Sequence, residues 1–167
     1  MTLPMTLDAL IPAPFGFIGV YCHADNTHSA AMDEIHLLQH ALPVRTPAHP
    51  RAAAWAAQIE AYLADPHAPL QAPLPAVGTP FQQRVWQAMR AIPVGQTLSY
   101  GALAAQLGSG PRAVANACGA NRLPLFNPCH RVVAQHGLGG FMQGHPAGLA
   151  IKHWLLAHEQ QPKYTLR

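Results

Sequence analysis

The segment "NPCHRVV" places a cysteine, a histidine and an arginine next to one another, at Cys129, His130 and Arg131. A thiol attacks carbon only as a thiolate, and a neighbouring imidazole or cation lowers its pKa. If the following residues form a strand, adjacent side chains point to opposite faces. His130 then reaches the sulfur only through a sharp turn or a bridging water. Taken alone, the dipeptide favours a buried cysteine beside a surface histidine, because short motifs match by chance. A nucleophilic cysteine is the alternative.

The formal charge of +3 at neutral pH is unevenly distributed along the chain. Residues 1–83 contain two basic and six acidic residues, a charge of −4. Residues 84–167 contain eight basic residues and one acid, Glu159, a charge of +7. A half this basic attracts polyanions, nucleic acid above all, and a merely solvated basic surface is the alternative.

The composition is that of a folded globular protein of one domain or two small lobes. Half of the 167 residues are apolar and only 10% are charged, which argues against a disordered chain. No apolar run approaches the roughly 20 residues that cross a bilayer, and the first residues lack the basic start of a signal peptide. Three cysteines are too few for a disulfide framework. We therefore expect a soluble, cytoplasmic protein.

The order of turn residues, helix caps and apolar runs along the chain predicts an α/β (α+β) fold in two parts. We expect an N-terminal αβ domain over residues 1–66 with a short antiparallel sheet. A Pro-rich linker then covers residues 67–78. A mostly helical domain with a winged-helix-like helix-turn-helix follows over residues 79–167.

In the N-terminal part, two apolar runs and one amphipathic run stand out. "FGFIGVYC" predicts a strand that follows a Pro/Gly turn, and "MDEIHLL" predicts a second strand. Trp55, Ile59 and Leu63 recur at intervals of four, which predicts an amphipathic helix ending before Pro66.

In the C-terminal part, the helix boundaries are marked by capping residues. Thr79 and Gln82 form a capping-box pattern, with a proline between them at the first helical position. Ser99 is the predicted N-cap of a second helix that ends at Gly108, and a third begins near Pro111. Two short helices across a Gly-containing turn are typical of a helix-turn-helix.

The third of these helices is unusual for a base-reading helix. After Arg112 and Ala113 its side chains are mostly small, and they cannot read bases in the major groove. Small residues with one long cation indicate binding that is largely indifferent to sequence, with one intruding arginine. A tightly packed alanine helix is the alternative.

Five motifs in order carry a resemblance to a known family: "TPFQQRVW", "IPVGQTLSYGALA", "GPRAVANACGAN", "NPCHRVV" and "KHWLLAHE". From Thr79 to Glu159 the chain resembles the O6-alkylguanine-DNA alkyltransferases, the methylated-DNA–protein-cysteine methyltransferases. The resemblance implies a repair protein that flips O6-alkylguanine out of duplex DNA and transfers the alkyl group to its own cysteine. The transfer is irreversible, so one molecule is consumed per lesion. Activity on O4-alkylthymine stays open.

The resemblance also implies roles for residues near the cysteine. Cys129 is the alkyl acceptor, and His130 takes its proton through a water. Glu159 holds His130 in the required tautomer, and Asn121 braces the turn between the DNA-binding helix and the cysteine segment.

Further roles concern DNA and the flipped base. Arg112, with Ala113 beside it, enters the duplex in place of the extruded nucleotide, and Tyr100 pushes the phosphate and hydrogen-bonds the base. The carbonyls of Cys129 and Val132 accept from the guanine amino group. The chain departs from the family at "LGGFMQGHPAG", where Phe141 replaces a tyrosine and a few residues are added. Phe141 and Met142 are expected to line the alkyl pocket with Tyr100 and Val132.

We predict neither a cofactor nor a metal. Cys22, His23 and His28 are candidate zinc ligands in the N-terminal part, but they lack a four-ligand spacing. We expect a monomer that binds duplex DNA containing alkylated guanine, and cooperative binding along DNA stays open.

The main alternative function is a non-catalytic sensor of alkyl lesions of the alkyltransferase-like type. A cysteine hydrolase would require turnover, and a helix-turn-helix regulator would require sequence-specific binding.

Overall fold

The computed structural model describes residues 6–23, 33–71, 77–141 and 147–160. The chain divides into two compact units, Met1–Val77 and Gly78–Arg167. The first combines a small antiparallel sheet with a helix and the second is mostly helical, so the expected mixed α/β fold class is confirmed. Within the described residues, no helix combines the length and apolar character needed to cross a bilayer.

The sheet of the first unit has three strands, β1 (Ala9–Ala13), β2 (Gly16–Tyr21) and β3 (Glu34–Leu38), in the order β1-β2-β3. The expected turn before β2 is in part a strand, because β1 includes Pro12. Proline is tolerated there since β1 lies at the sheet edge, where one side of the backbone needs no ladder hydrogen bonds. Gly16 opens β2 at φ 138°, and a Cβ there would lie 2.2 Å from the Leu38 carbonyl oxygen.

Helix α1 (Ala52–Ala64) packs on β1 and β2 through one apolar face. Trp55 and Ile59 are buried as the spacing predicts, but Tyr62 rather than Leu63 completes the buried face. The 3.6-residue period explains the difference, because a four-residue repeat drifts off the face after two turns.

Both arginines of the acidic half are paired with buried aspartates. Asp8 accepts two hydrogen bonds from Arg45, at 2.6 and 2.9 Å. Asp33 accepts two from Arg51, at 3.0 and 2.7 Å, and one from the Trp55 indole at 2.9 Å. These hydrogen bonds therefore connect distant segments of this unit and stabilise its packing.

Of the candidate zinc ligands, Cys22 and His23 lie within the described residues. The Cys22 thiol is buried, its backbone N–H donates to Asp8 at 2.7 Å, and burial raises its pKa to about 12. In the part of the chain that the structure describes, no three His, Cys, Asp or Glu side chains form a metal-binding group. His28 lies outside the described residues.

Within its described residues, the second unit contains four α-helices and a two-stranded parallel sheet. The helices are α2 (Pro80–Arg90), α3 (Tyr100–Leu107), α4 (Pro111–Gly119) and α5 (Gly148–Glu159). Strand β4 (Leu98–Ser99) pairs with β5 (Val132–Val133) and thereby joins the start of α3 to the segment after the cysteine. Helices α2, α3 and α4 and strand β5 share a core formed by Val85, Met89, Ile92, Leu103, Ala104, Val114, Ala117 and Val132.

The helix boundaries predicted from capping residues are confirmed. Thr79 and Gln82 form both bonds of the capping box, and the Ser99 hydroxyl accepts from the Ala102 N–H at 3.0 Å. Gly108 ends α3 in the left-handed conformation, at φ 64°. Helices α3 and α4, separated by three residues, pack on one another as a helix-turn-helix.

Candidate active site

Cys129 opens a 3-10 turn, Cys129–Arg131, that connects Pro128 to strand β5. The Cys129 N–H donates to the Asn127 carbonyl at 2.8 Å, and the Val132 N–H donates back to the Cys129 carbonyl. The chain therefore turns at the cysteine instead of continuing as a strand, so the strand alternation that would separate His130 from the sulfur does not apply here. From the sequence, contact between His130 and the sulfur required a sharp turn or a bridging water. A sharp turn is present.

His130 is held by a buried carboxylate from the end of α5. Its Nε2 lies 2.7 Å from Glu159 Oε1, and both side chains are 1% exposed. Arg131 donates to both oxygens of the same carboxylate at 2.9 Å, and its third bond goes to the Ile92 carbonyl at 2.8 Å. This bidentate pair keeps the carboxylate in position.

The protonation state of Glu159 determines the tautomer of His130. Burial raises the pKa of Glu159, but the hydrogen bonds from His130 and Arg131 outweigh it and hold the pKa well below the usual range. An ionised carboxylate only accepts hydrogen bonds, so His130 Nε2 carries the proton and Nδ1 keeps its lone pair. Nδ1 is buried and has no hydrogen-bond partner within the described residues. Burial also lowers the pKa of His130, which keeps the ring neutral.

Asn121 places an N–H donor against the sulfur. Its Nδ2 lies 3.4 Å from Cys129 Sγ and 2.8 Å from the Asn127 carbonyl oxygen. Its Oδ1 accepts from the Leu123 N–H at 3.0 Å and from Asn127 Nδ2 at 3.2 Å. Asn121 thus links the end of α4 to the cysteine turn, which is the location that the sequence predicts for it.

Two opposed influences act on the Cys129 thiol. Burial raises its pKa, whereas the hydrogen bond from Asn121 and the charge of Lys152 lower it. The net pKa lies above the usual range. The resting group is therefore a thiol, and a base is needed to generate the thiolate.

Lys152 is a buried residue of the site that the sequence analysis missed. It is fully buried, and its Nζ donates to the Val132 carbonyl at 2.7 Å and to the Gly140 carbonyl at 3.1 Å. Burial lowers its pKa to about 8. The signal was available in the sequence, because Gly148, Ile151, Lys152 and Leu155 lie on one face of α5 and three of them are apolar or small.

The segment after β5 contacts Tyr100 and Lys152 together. The Tyr100 hydroxyl donates to the Gly140 carbonyl at 3.4 Å, and Lys152 Nζ lies 5.8 Å above the Tyr100 ring centroid. Phe141 is buried, with its ring centroid 5.9 Å from Lys152 Nζ. Burial raises the pKa of Tyr100 to about 12, so its hydroxyl remains a donor. Met142, which the sequence also assigns to the pocket, lies outside the described residues.

Two of the predicted DNA-contacting residues, Arg112 and Ala113, lie at the start of α4. Arg112 is the second residue of α4 and is exposed, and Ala113 beside it is half-buried. Val132, the other predicted pocket residue, is buried, and its carbonyl already accepts from Lys152.

Comparison with known proteins places this site in context. Residues 80–161 match the family model described as "6-O-methylguanine DNA methyltransferase, DNA binding domain". The chain is 54% identical over 84 residues to a methylated-DNA–protein-cysteine methyltransferase of Salmonella typhimurium, a match covering 49% of this chain and 47% of that one. A mouse (Mus musculus) protein of the same name is 42% identical over 115 residues, covering 64% and 54%. The chain spans about half the length of the curated relatives it matches.

The similarity to solved structures extends over both units. The O6-methylguanine methyltransferase of Mycobacterium tuberculosis is 32% identical with a TM-score of 0.69, over 90% of each chain. A structure of the Mycobacterium tuberculosis protein in complex with DNA matches with a TM-score of 0.67, at 32% identity over 90% of this chain and 91% of that one.

Proposed function

Because this chain belongs to the methylated-DNA–protein-cysteine methyltransferase family, we propose that it repairs O6-alkylguanine in DNA by transferring the alkyl group to Cys129. The observation that carries this proposal is the arrangement around the sulfur. Asn121 donates to Sγ, and the adjacent His130 is fixed by Glu159 with a free lone pair on Nδ1. This is the nucleophile, base and orienting group that a thiol of raised pKa requires.

The reaction follows from these groups. His130 Nδ1 takes the thiol proton through a water, and the imidazolium that forms is stabilised by the Glu159 carboxylate. The sulfur attacks the alkyl carbon, a carbon–sulfur bond forms, and the bond from that carbon to guanine O6 breaks. The electron pair stays on guanine, which takes up a proton to become the normal base. Lys152 contributes a nearby positive charge that favours the thiolate.

The product explains why the protein would act once. Alkylation converts Cys129 to a thioether, a group without an acidic proton or a good leaving group. His130 and Glu159 then have no thiol to deprotonate. Each molecule therefore removes a single lesion, and the methyl group ends on the protein.

DNA binding is assigned to helices α3 and α4. The charge of +7 over residues 84–167 favours a polyanion, and Arg112 extends from the exposed start of α4. We assign Arg112 to the space vacated by the flipped nucleotide, and Tyr100 to the phosphate and the flipped base. Unstacking costs a few kcal/mol and less for a poorly paired alkylated guanine, which gives one source of selectivity for damage.

The test is a single-turnover reaction with duplex DNA that carries O6-methylguanine. After the reaction, the peptide containing Cys129 should carry one methyl group, and the substitution Cys129→Ser should abolish transfer while DNA affinity is retained. Tight binding to the lesion with an unmodified Cys129 peptide would overturn the proposal and indicate a lesion sensor instead.

A further inference from the structure

We propose that Arg90 and Asn127 are positioning residues that act through Asn121 to keep an N–H donor against the Cys129 sulfur. The importance of this donor for repair rests on the function proposed above. The hydrogen bonds themselves do not rest on that function, because they act on the thiol of the protein without DNA. The sequence motifs assigned Asn121 only to bracing the turn before the cysteine segment, and they gave no role to Arg90 or Asn127.

Asn127 is a polar side chain in an apolar segment. It lies between Phe126 and Pro128, and it is 5% exposed. Burial of an amide costs free energy unless its groups are hydrogen-bonded. Both ends of this amide are bonded, Oδ1 to Arg90 and Nδ2 to Asn121.

Arg90 determines which end of the Asn127 amide faces which partner. Its Nη1 donates to Asn127 Oδ1 at 2.5 Å, a short hydrogen bond that is assisted by the charge of the guanidinium. A guanidinium has only donors, so the oxygen of Asn127 must face Arg90. The amino group of Asn127 must then face the opposite direction, toward Asn121.

The orientation of the Asn121 amide is determined in the same way. Its Oδ1 receives the Asn127 amino group and the Leu123 N–H, so both acceptor positions of this oxygen are used. The amino group of Asn121 has two hydrogens, and its two contacts are the Asn127 carbonyl and Cys129 Sγ. Rotation of this amide by half a turn would bring an oxygen against the sulfur and against the Asn127 carbonyl.

The consequence for the thiol has a definite sign. A donor facing sulfur stabilises the thiolate, whereas an oxygen there would destabilise it. The Leu123 N–H also favours the observed orientation, so Arg90 and Asn127 add a second constraint rather than the only one. We therefore expect their removal to have a moderate effect on the thiol.

The experiment measures the ionisation of Cys129 in the full chain without DNA. The rate of alkylation by iodoacetamide is followed against pH, and the Cys129 peptide is quantified by mass. Arg90→Met should slow its modification near neutral pH by about three- to tenfold, as expected for partial loss of one charge-assisted hydrogen bond. Arg90→Lys, which keeps a charged donor, should restore part of the rate.

The matched control is Arg84→Met, in the same helix. Arg84 donates to the Leu107 carbonyl at 2.9 Å, and among the residues that the structure describes it has no hydrogen bond to Asn121 or Asn127. This substitution should leave the Cys129 titration unchanged. Equal titration curves for wild-type, Arg90→Met and Arg84→Met would overturn the proposal.

A second variant keeps the test decisive if Arg90→Met does not fold. Asn127→Asp has the same shape and can still bind Arg90, but it has no donor for Asn121 Oδ1 and adds a negative charge. It should raise the Cys129 pKa more than Arg90→Met does, and an unchanged pKa would again contradict the proposal. Since these titrations use no DNA, a protein that fails to repair lesions can still pass or fail them.

Discussion

Glu159 Oε1 lies 2.7 Å from His130 Nε2, and the two residues are separated by 29 positions in the sequence. The last residue of α5 is thereby joined to the cysteine turn. Because the carboxylate is also bonded twice by Arg131, its position does not depend on the imidazole. The proton therefore stays on Nε2, and Nδ1 is the ring atom that remains basic.

We predict a pH profile of repair whose acid limb lies below the ordinary titration of histidine. Burial lowers the pKa of His130 from 6.5, so the ring stays neutral, and able to act as a base, below that pH. The single-turnover rate on duplex DNA should stay on a plateau as pH falls through 6.5 and decline only at lower values. Rates measured between about pH 5 and pH 8 check this. A half-maximal rate at or above the ordinary value would contradict the assignment of His130.

We predict that Glu159→Gln destabilises the protein by about 3 kcal/mol at neutral pH, because it leaves the buried Arg131 without its ionic partner. The pKa of Glu159 is depressed, so its contribution is complete above the ordinary value of 4.5 and is lost as pH falls toward the depressed pKa. Urea unfolding of wild-type and variant should therefore give a difference that shrinks in acid.

The control for this prediction is Glu60→Gln, at an exposed position of α1. A surface substitution of this kind should change the free energy of unfolding by about 0.5 kcal/mol or less. A similar loss for both variants, or a difference for Glu159→Gln that does not depend on pH, would contradict the buried ion pair.

Much of the fold could be predicted from local chemistry. The caps at Thr79, Ser99 and Gly108 act through bonds to nearby backbone, so the residues themselves specify the helix ends. Strand β1 was missed because Pro12 reads as a turn when nothing shows that the strand lies at a sheet edge. Edge position is a property of the assembled sheet.

We predict that Gly139→Ala disturbs the contact between Tyr100 and the segment after β5. Gly139 has φ 74°, and a Cβ there would lie 2.9 Å from Tyr100 Cε2 and 3.1 Å from the Ala134 nitrogen. The variant should lose stability and repair more slowly, because the ring must move. Unfolding and single-turnover rates measure both effects.

The matched control is Gly137→Ala, where φ is 115° but no atom lies within 4 Å of the added Cβ. This variant introduces backbone strain of about 1–3 kcal/mol without a steric contact of the new Cβ. If both variants repair DNA at the same rate, the close approach of Gly139 to Tyr100 has no role in the site.

We predict that Arg112→Ala slows repair of duplex DNA about tenfold, the equivalent of about 1.4 kcal/mol, and leaves the reaction with free O6-alkylguanine base unchanged. The residue is exposed at the start of α4, away from the bonds around Cys129, so its loss should affect flipping and not the thiol. Arg112→Lys keeps the positive charge but changes the shape of the side chain, so its repair rate distinguishes the two contributions. Equal loss on duplex and free base would show that Arg112 has a different role.

The site was predictable to the extent that its residues lie in short motifs. Cys129, His130, Asn121 and Glu159 were assigned from the motifs, and the structure pairs Asn121 with Cys129 and His130 with Glu159 by hydrogen bonds. Lys152 was not assigned, because a lysine in a helix usually faces solvent and its burial here depends on the carbonyls of Val132 and Gly140.

The connection from Arg90 to the cysteine was equally invisible in the sequence. Arg90 and Asn127 are 37 positions apart, and each is unremarkable by itself. Such a contact follows from the packing of α2 beside the cysteine turn.

The most direct test of the central claim counts lesions repaired per protein molecule. Purified protein is mixed with a molar excess of duplex DNA carrying O6-methylguanine, and restored guanine and methylated Cys129 peptide are measured together over time. We predict that repair stops at one lesion per molecule, with every methyl group on Cys129. Repair that continues past equivalence, or a plateau with the methyl group on another residue, would contradict it.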